Sequence, residues 1–107
     1  MKRLDLTEIA QADLASIRRY SMRTWGRDQT GKYMDALRDT MKGLLRGTVV
    51  TRARDDLLPG IQMAASGRHS IFFQADDSHV LVLRVLHGSM DYGRHLKRSD
   101  VPGEDGQ

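Results

Sequence analysis

Polar and ionisable side chains are concentrated in a short stretch near the end of the chain. Between positions 84 and 95 the sequence contains Arg84, His87, Asp91, Tyr92, Arg94 and His95. Histidine and aspartate can take or give a proton, and arginine can hold a phosphate or a carboxylate. A catalytic or adhesive site is therefore expected first in this stretch.

Two kinds of site are disfavoured by the spacing of these residues. The four histidines, His69, His79, His87 and His95, form no helical His-x-x-x-His pair, and no cysteine supports them, so no metal site is expected. Ser89, His87 and Asp91 are the residue types of a nucleophilic triad. They are close neighbours in sequence and lack a glycine-flanked nucleophile elbow, which argues against a Ser-His-Asp catalytic triad.

A metal-free ribonuclease is chemically possible. Cleavage of RNA through its own 2′-hydroxyl needs a base, a cation for the charged phosphorus intermediate and an acid. Residues of suitable types are Arg68, Arg84, Arg94, His87, His95 and Tyr92. A purely structural role is the other possibility: Arg84 would pair with Asp91, and Met90 and Leu96 would return to the core.

The strand that would position this cluster has the strongest β signal in the sequence. Its apolar run is broken only by Arg84 and includes Val80, Leu81, Val82, Leu83, Val85 and Leu86. Strict alternation places Val80, Val82, Arg84 and Leu86 on one face, and Leu81, Leu83, Val85 and His87 on the other. Since both faces are apolar, this is expected to be an inner strand covered on both sides.

The rest of the chain predicts an α+β domain of order β-α-α-β-β-β. An N-terminal strand and an antiparallel helical hairpin should pack on a mostly antiparallel sheet. The expected strands are Lys2–Leu6, Ile61–Ala65, Arg68–Gln74 and the run from His79, and the expected helices run from Glu8 to about Thr24 and from Asp28 to about Arg46.

Length and composition limit the class of protein. The 107 residues suit one domain, which we place at 1–96, and the polar segment 97–107 is expected to be a disordered tail. The absence of cysteine, of a signal-peptide pattern and of a long apolar run predicts a cytoplasmic protein with no membrane segment.

The charge is unevenly distributed along the chain. Residues 1–54 hold 12 basic against 6 acidic side chains, and residues 55–107 hold 5 against 8. The basic half could face an acidic partner or simply water.

The run Arg-Val-Leu-His-Gly-x-Met-Asp-x-x-Arg-His-Leu at Arg84–Leu96 closely resembles the C-terminal signature of ParE-type toxins. These belong to the RelE/ParE superfamily of toxin–antitoxin systems, also described as plasmid-stabilisation proteins. A weaker similarity lies in the first helix, where Ala10, Ala12, Asp13, Leu14, Ile17 and Tyr20 precede Trp25-Gly26. The resemblance covers roughly residues 2–96.

This resemblance implies a RelE/ParE-like fold and the toxin of a type II toxin–antitoxin pair. It implies a protein that inhibits DNA gyrase by binding it, that is not an enzyme, and that is neutralised by a cognate ParD-like antitoxin. Neither a cofactor nor direct nucleic-acid binding is expected. The residues expected to bind the target or partner are Arg84, His87, Met90, Asp91, Arg94 and His95. The residues expected to form the antitoxin groove are Arg18, Arg19, Arg23, Met34 and Met41.

Two alternatives remain open at the level of sequence. A RelE-like ribosome-dependent endoribonuclease would use Arg84, His87, Arg94 and His95 as catalytic residues. The middle strands are poor in the lysine and arginine that would hold an RNA backbone. The other alternative is an inactive relative that only binds an antitoxin.

Overall fold

A helical hairpin covers one face of a five-stranded sheet in the computed structural model, which describes residues 2–96. The elements in chain order are β1 (Arg3–Leu6), α1 (Glu8–Trp25), α2 (Arg27–Arg46), β2 (Arg52–Ala53), β3 (Gln62–Ser66), β4 (His69–Ala75), β5 (His79–His87) and α3 (Tyr92–His95). The strand order is β1-β5-β4-β3-β2; β1 runs parallel to β5 and the other neighbours are antiparallel. The predicted fold class is confirmed, with short β2 and α3 as unpredicted additions. The predicted tail, 97–107, lies outside the described residues.

The caps of the hairpin follow from local sequence. The Thr7 hydroxyl accepts the Ala10 amide proton at the start of α1. Gly26, at φ +83°, is the single residue between α1 and α2, and Gly47, at φ +70°, ends α2. Such positive φ angles favour glycine, which has no Cβ to clash. The connection between the helices is thus a single residue, shorter than the gap between the predicted helices.

The faces of β5 do not follow strict alternation. Phe73 pairs with Val82 and Phe72 with Arg84, so Leu83 is an extra residue in the ladder. A bulge of this kind shifts all later side chains to the opposite face. Val85 consequently joins Val80 and Val82 beneath the helices, and Leu86 joins Leu83 on the other face. The predicted assignment of faces is correct before the bulge and wrong after it.

Each face of the sheet has its own apolar cluster. The first lies under α1 and α2, and its buried members include Ile17, Met34, Leu37, Met41, Leu44, Ile71, Phe73, Val80, Val82 and Val85. The second contains Ile61, Phe72, Leu83, Leu86 and Leu96, and Leu57, Leu58 and Tyr92 pack against it. The prediction that β5 is covered on both sides is confirmed. No helix in the described part of the chain is long and apolar enough to cross a membrane.

Candidate functional site

A groove between the helical hairpin and the C-terminal end of β5 brings aromatic and basic side chains together. We call it the aromatic groove; its volume is about 330 Å³ and its lining residues are Ser16, Ile17, Tyr20, Ser21, Trp25, Tyr33, Arg68, His69, His87 and Met90. Tyr20 is 56% exposed, and Trp25 and Met90 are each 43% exposed. Three large apolar side chains thus remain in solvent around one depression, an unusual arrangement unless the surface binds something.

The aromatic rings of the groove form a continuous row. Tyr20 meets Trp25 edge to face at 6.1 Å, and Trp25 lies 6.3 Å from Tyr33. Tyr33 meets His69 at 5.6 Å, and His69 meets His87 at 5.3 Å, again edge to face. These distances and angles are those of favourable aromatic contacts, so the row orders side chains from α1, α2, β4 and β5.

Tyr33 holds the β3–β4 turn against α2. Its hydroxyl lies 2.6 Å from His69 Nδ1 and accepts the Arg68 amide proton at 2.9 Å. Gly67 in this turn has φ +58°, and a Cβ there would lie 2.6 Å from Tyr33 Cε1. Only glycine fits at this position. Its close contact with Tyr33 lets the Tyr33 hydroxyl reach Arg68 and His69 and hold them beside the groove.

His87 lies where β5 ends, at the inner side of the groove. Its Nδ1 is 2.7 Å from Ser89 Oγ and also accepts the Ser89 amide proton at 3.1 Å. His87 and Ser89 thus make the histidine–serine contact that a Ser-His-Asp triad would need. Asp91 does not complete the triad, because its carboxylate accepts the Gly93 amide proton and caps α3.

The charge state of His69 follows from its surroundings. Burial lowers the pKa of His69 below its usual 6.5, and the nearby charge of His87 lowers it further, while Asp13 opposes both effects. The lowered pKa favours the neutral form of His69 at pH 7.

This shift predicts a loss of stability on mild acidification. Because the folded state disfavours protonated His69, the unfolded chain binds a proton at higher pH than the folded chain does. The contribution of His69 to the free energy of unfolding should be constant above the ordinary pKa of 6.5, decrease as the pH falls from there to the folded pKa, and then level off. Chemical denaturation from pH 7.5 downwards, in roughly half-unit steps, measures the slope. His69→Gln should flatten the part of the curve that His69 causes; an identical curve in the variant would disprove the assignment.

Arg84 is paired with an unexpected partner. Its Nε donates to Asp13 Oδ2 at 2.8 Å and its Nη2 to Asp13 Oδ1 at 3.0 Å, while Nη1 donates to the His95 carbonyl at 2.9 Å. The Arg84 and Asp13 side chains are only 16% and 15% exposed. The predicted Arg84–Asp91 pair is wrong, because β1 ends at Leu6 and leaves the side of β5 open to Asp13 of α1. Asp13 also accepts the Val85 amide proton, at 2.9 Å.

The other residues of the C-terminal stretch lie away from the groove, on or beside α3. Asp91 and Arg94 are exposed, and His95 is half-buried with its carbonyl on Arg84. Tyr92 packs on Phe72 in the second cluster, where Leu96 is buried as predicted. Met90 does not return to the core, because the chain leaves the sheet on the helix side at Gly88 before α3 crosses to the other face. Of the six predicted target residues, the structure brings only His87 and Met90 to the groove.

The predicted antitoxin groove does not form one surface. Arg18, Arg19 and Arg23 are exposed on α1, whereas Met34 and Met41 are buried in the first cluster. The two methionines lie on the buried face of α2, which packs on the sheet. Met34 and Met41 belong to the core, and part of each side chain lines a second groove, between α2 and β1.

Sequence reasoning missed the groove as a unit. Arg68 and His69 were considered singly, as a phosphate-binding and a metal-binding residue, and Tyr33 was not among the expected site residues. Tyr20 and Trp25 entered only through the resemblance in the first helix. In the described part of the chain no three histidine, cysteine or acidic side chains are close enough to hold a metal ion.

A family model places the chain among known proteins. The model described as the ParE toxin of the type II toxin–antitoxin system parDE matches residues 4–92. Toxin ParE1 of Caulobacter vibrioides is 33% identical over 96 residues, which is 90% of this chain and 99% of that protein. Toxin ParE of Escherichia coli is 33% identical over 87 residues, covering 80% of this chain and 84% of that protein.

A solved structure shows the same fold. The chain is similar to a chain in the solved structure of the chromosomal ParDE TA system from P. aeruginosa, with a TM-score of 0.66 and 20% identity. The match covers 81% of this chain and 96% of that one. Nearly the whole of that chain is therefore matched by the strand, hairpin and sheet described above.

Proposed function

Because the chain belongs to the ParE toxin family of type II toxin–antitoxin systems, we propose that it inhibits DNA gyrase by binding it through the aromatic groove. The observation that carries this proposal is the exposure of Tyr20, Trp25 and Met90 around one groove. The family implies an antitoxin partner. That gyrase is the target is the part that we propose.

The residue types of the groove are those of protein interfaces. Tryptophan, tyrosine, methionine and arginine are enriched at the centres of such interfaces, and tryptophan and tyrosine contribute most of the binding energy. No carboxylate lines the groove among the described residues, while Arg68 and two histidines do. A protein surface that offers an apolar side chain beside a carboxylate would fit it.

The hydrogen bonds of the candidate catalytic residues also favour a binding role over catalysis. Arg84 is held by both carboxylate oxygens of Asp13, so its guanidinium already has a charged partner. Asp91 caps α3, and the His95 carbonyl bonds to Arg84. Of the four residues expected to be catalytic in a RelE-like enzyme, only His87 lines the aromatic groove, and Arg84, Arg94 and His95 do not join it at one point, as cleavage of RNA by these four would require.

Two assays on the purified chain test the proposal. We expect inhibition of gyrase supercoiling or trapping of cleaved DNA, and intact messages when the chain is added to translating ribosomes. Heat-inactivated protein is the control in both assays. Rapid cleavage of ribosome-bound messages with normal supercoiling would overturn the proposal.

A RelE-like endoribonuclease is the second candidate, and one observation favours it. His69, His87 and Arg68 lie side by side at the groove, and the lowered pKa of His69 keeps it in the neutral form that can act as a base. This activity would show as cleavage whose rate depends on pH and is lost in His69→Gln. A chain that binds its antitoxin but neither cleaves messages nor arrests growth would instead be an inactive relative.

A further inference from the structure

The two histidines of the aromatic groove are held in the same tautomer by their neighbours. His87 Nδ1 accepts the Ser89 amide proton at 3.1 Å, and since a backbone amide can only donate, this nitrogen carries no proton. Tyr33 accepts the Arg68 amide proton and lies 2.6 Å from His69 Nδ1. The other acceptor for the Tyr33 proton is a backbone carbonyl at 3.4 Å, so the proton goes to the nearer Nδ1. In both rings the proton is therefore on Nε2.

Both Nε2–H groups are open to a ligand. Within residues 2–96 the Nε2 atoms of His69 and His87 have no hydrogen-bond partner, and neither atom is buried. The rings lie edge to face, with centroids 5.3 Å apart, and both line the aromatic groove. Arg68 lines the same groove, and its exposed guanidinium bonds to no other described residue. Donors from three adjacent side chains thus meet at the inner side of the groove.

This set of donors suits a phosphate group. No carboxylate lines the groove among the described residues, so an anion meets no repulsion from the lining. A guanidinium and two N–H groups can donate to three acceptor oxygens, and a phosphate monoester offers three where a carboxylate offers two. The number of donors therefore favours phosphate.

The outer part of the groove suits a nucleobase. Trp25 is 43% exposed and is separated from His69 in the aromatic row by the Tyr33 ring alone. Bases of every kind stack on aromatic side chains, because each has a π-face. The groove volume of about 330 Å³ lies at the lower end of the range for small-ligand sites, about 300–1,000 Å³. The space is thus suited to one nucleotide and not to a longer strand.

From these features we infer that the aromatic groove binds a nucleoside monophosphate. The phosphate accepts hydrogen bonds from the Nε2–H groups of His69 and His87 and pairs with Arg68, while the base stacks on Trp25. The inference goes beyond the proposed function and is independent of whether gyrase is the target. If gyrase binds the same groove, the nucleotide and gyrase compete for it.

The fluorescence of Trp25 tests the inference directly. Trp25 is the only tryptophan of the chain, so its emission reports on the outer part of the groove alone. We expect AMP to change this emission saturably, and adenosine, which lacks the phosphate, to bind at least about tenfold more weakly. Inorganic phosphate should displace AMP and restore the emission of the free chain. Equal affinities for adenosine and AMP, or no half-saturation by about 1 mM AMP, would overturn the inference.

Two variants with a matched control test the donors. Arg68→Gln removes the charge, and His87→Phe keeps an aromatic ring beside His69 but removes the Nε2–H group. We expect each to raise the Kd for AMP about tenfold. Arg52→Gln removes the same charge from an exposed position on β2, away from the groove, and should leave the Kd within about twofold. Equal Kd values in Arg68→Gln and Arg52→Gln, with unchanged thermal midpoints, would overturn the inference.

Two further measurements test the tautomers and the size of the ligand. Nitrogen NMR of the imidazole rings identifies the protonated nitrogen, and an Nδ1–H form of His69 or His87 in the free chain would remove a donor that the inference needs. The dinucleotide adenylyl-adenosine should bind no more tightly than AMP. If it binds at least about tenfold more tightly, the groove binds a strand of nucleic acid and the inference is wrong. Since all of these measurements follow ligand binding, their outcome is separate from that of the gyrase assays.

Discussion

Asp13→Ala should lower the free energy of unfolding by about 3 kcal/mol, since it leaves a largely buried guanidinium without its carboxylate. Asp13 binds Arg84 through both oxygens and also accepts the Val85 amide proton, so the substitution removes the acceptor of three N–H groups. Chemical denaturation monitored by circular dichroism measures the loss. Because Arg84 also binds the His95 carbonyl, α3 should loosen together with β5.

Asp39→Ala is the matched control for this prediction. Asp39 is exposed on α2, and substitutions at such sites usually change stability by less than about 0.5 kcal/mol. Replacing Asp13 and Arg84 together with leucine and methionine should restore part of the loss, because no charge is then left without a partner. If Asp13→Ala and Asp39→Ala cost the same, the Arg84–Asp13 pair does not stabilise the fold.

Trp25→Ala should weaken binding to gyrase about thirtyfold or more under the proposed function. Truncation of a central interface tryptophan usually costs at least about 2 kcal/mol, which corresponds to this factor. Trp25 is an exposed member of the aromatic row and contacts both Tyr20 and Tyr33. Titration of gyrase supercoiling with the purified variant measures the effect, and growth arrest should require correspondingly more protein.

Met22→Ala provides the comparison for Trp25→Ala. Met22 is also on α1 and is also 43% exposed, but it does not line the aromatic groove. We expect its inhibition of gyrase to be close to that of the parent chain. Equal inhibition by both variants, with Trp25→Ala still folded, would place the gyrase-binding surface elsewhere on the molecule.

The sequence alone determined the elements and the family. The period of apolar residues predicted both helices, because each presents one apolar row, and the β-branched run at 79–87 predicted the central strand. Gly26 and Gly47 lie in the sequence where the two helices end, and glycine is the residue type that tolerates the positive φ angles found there. The motif at Arg84–Leu96 identified the toxin family that the family model and both relatives then confirmed. All of these signals are local, so one stretch of chain carries each of them.

The functional surfaces were decided by tertiary structure. The bulge at Leu83 places the later side chains of β5 on the face opposite to the predicted one. The sequence of a strand need not contain any residue pattern that reveals a bulge. Asp13 and Arg84 are 71 positions apart, and they meet because β1 stops short and leaves space beside β5. The aromatic groove likewise collects side chains from α1, α2 and the β3–β4 turn. Contacts between distant segments depend on how the helices lie across the sheet, and periodicity within one segment contains no information about that placement.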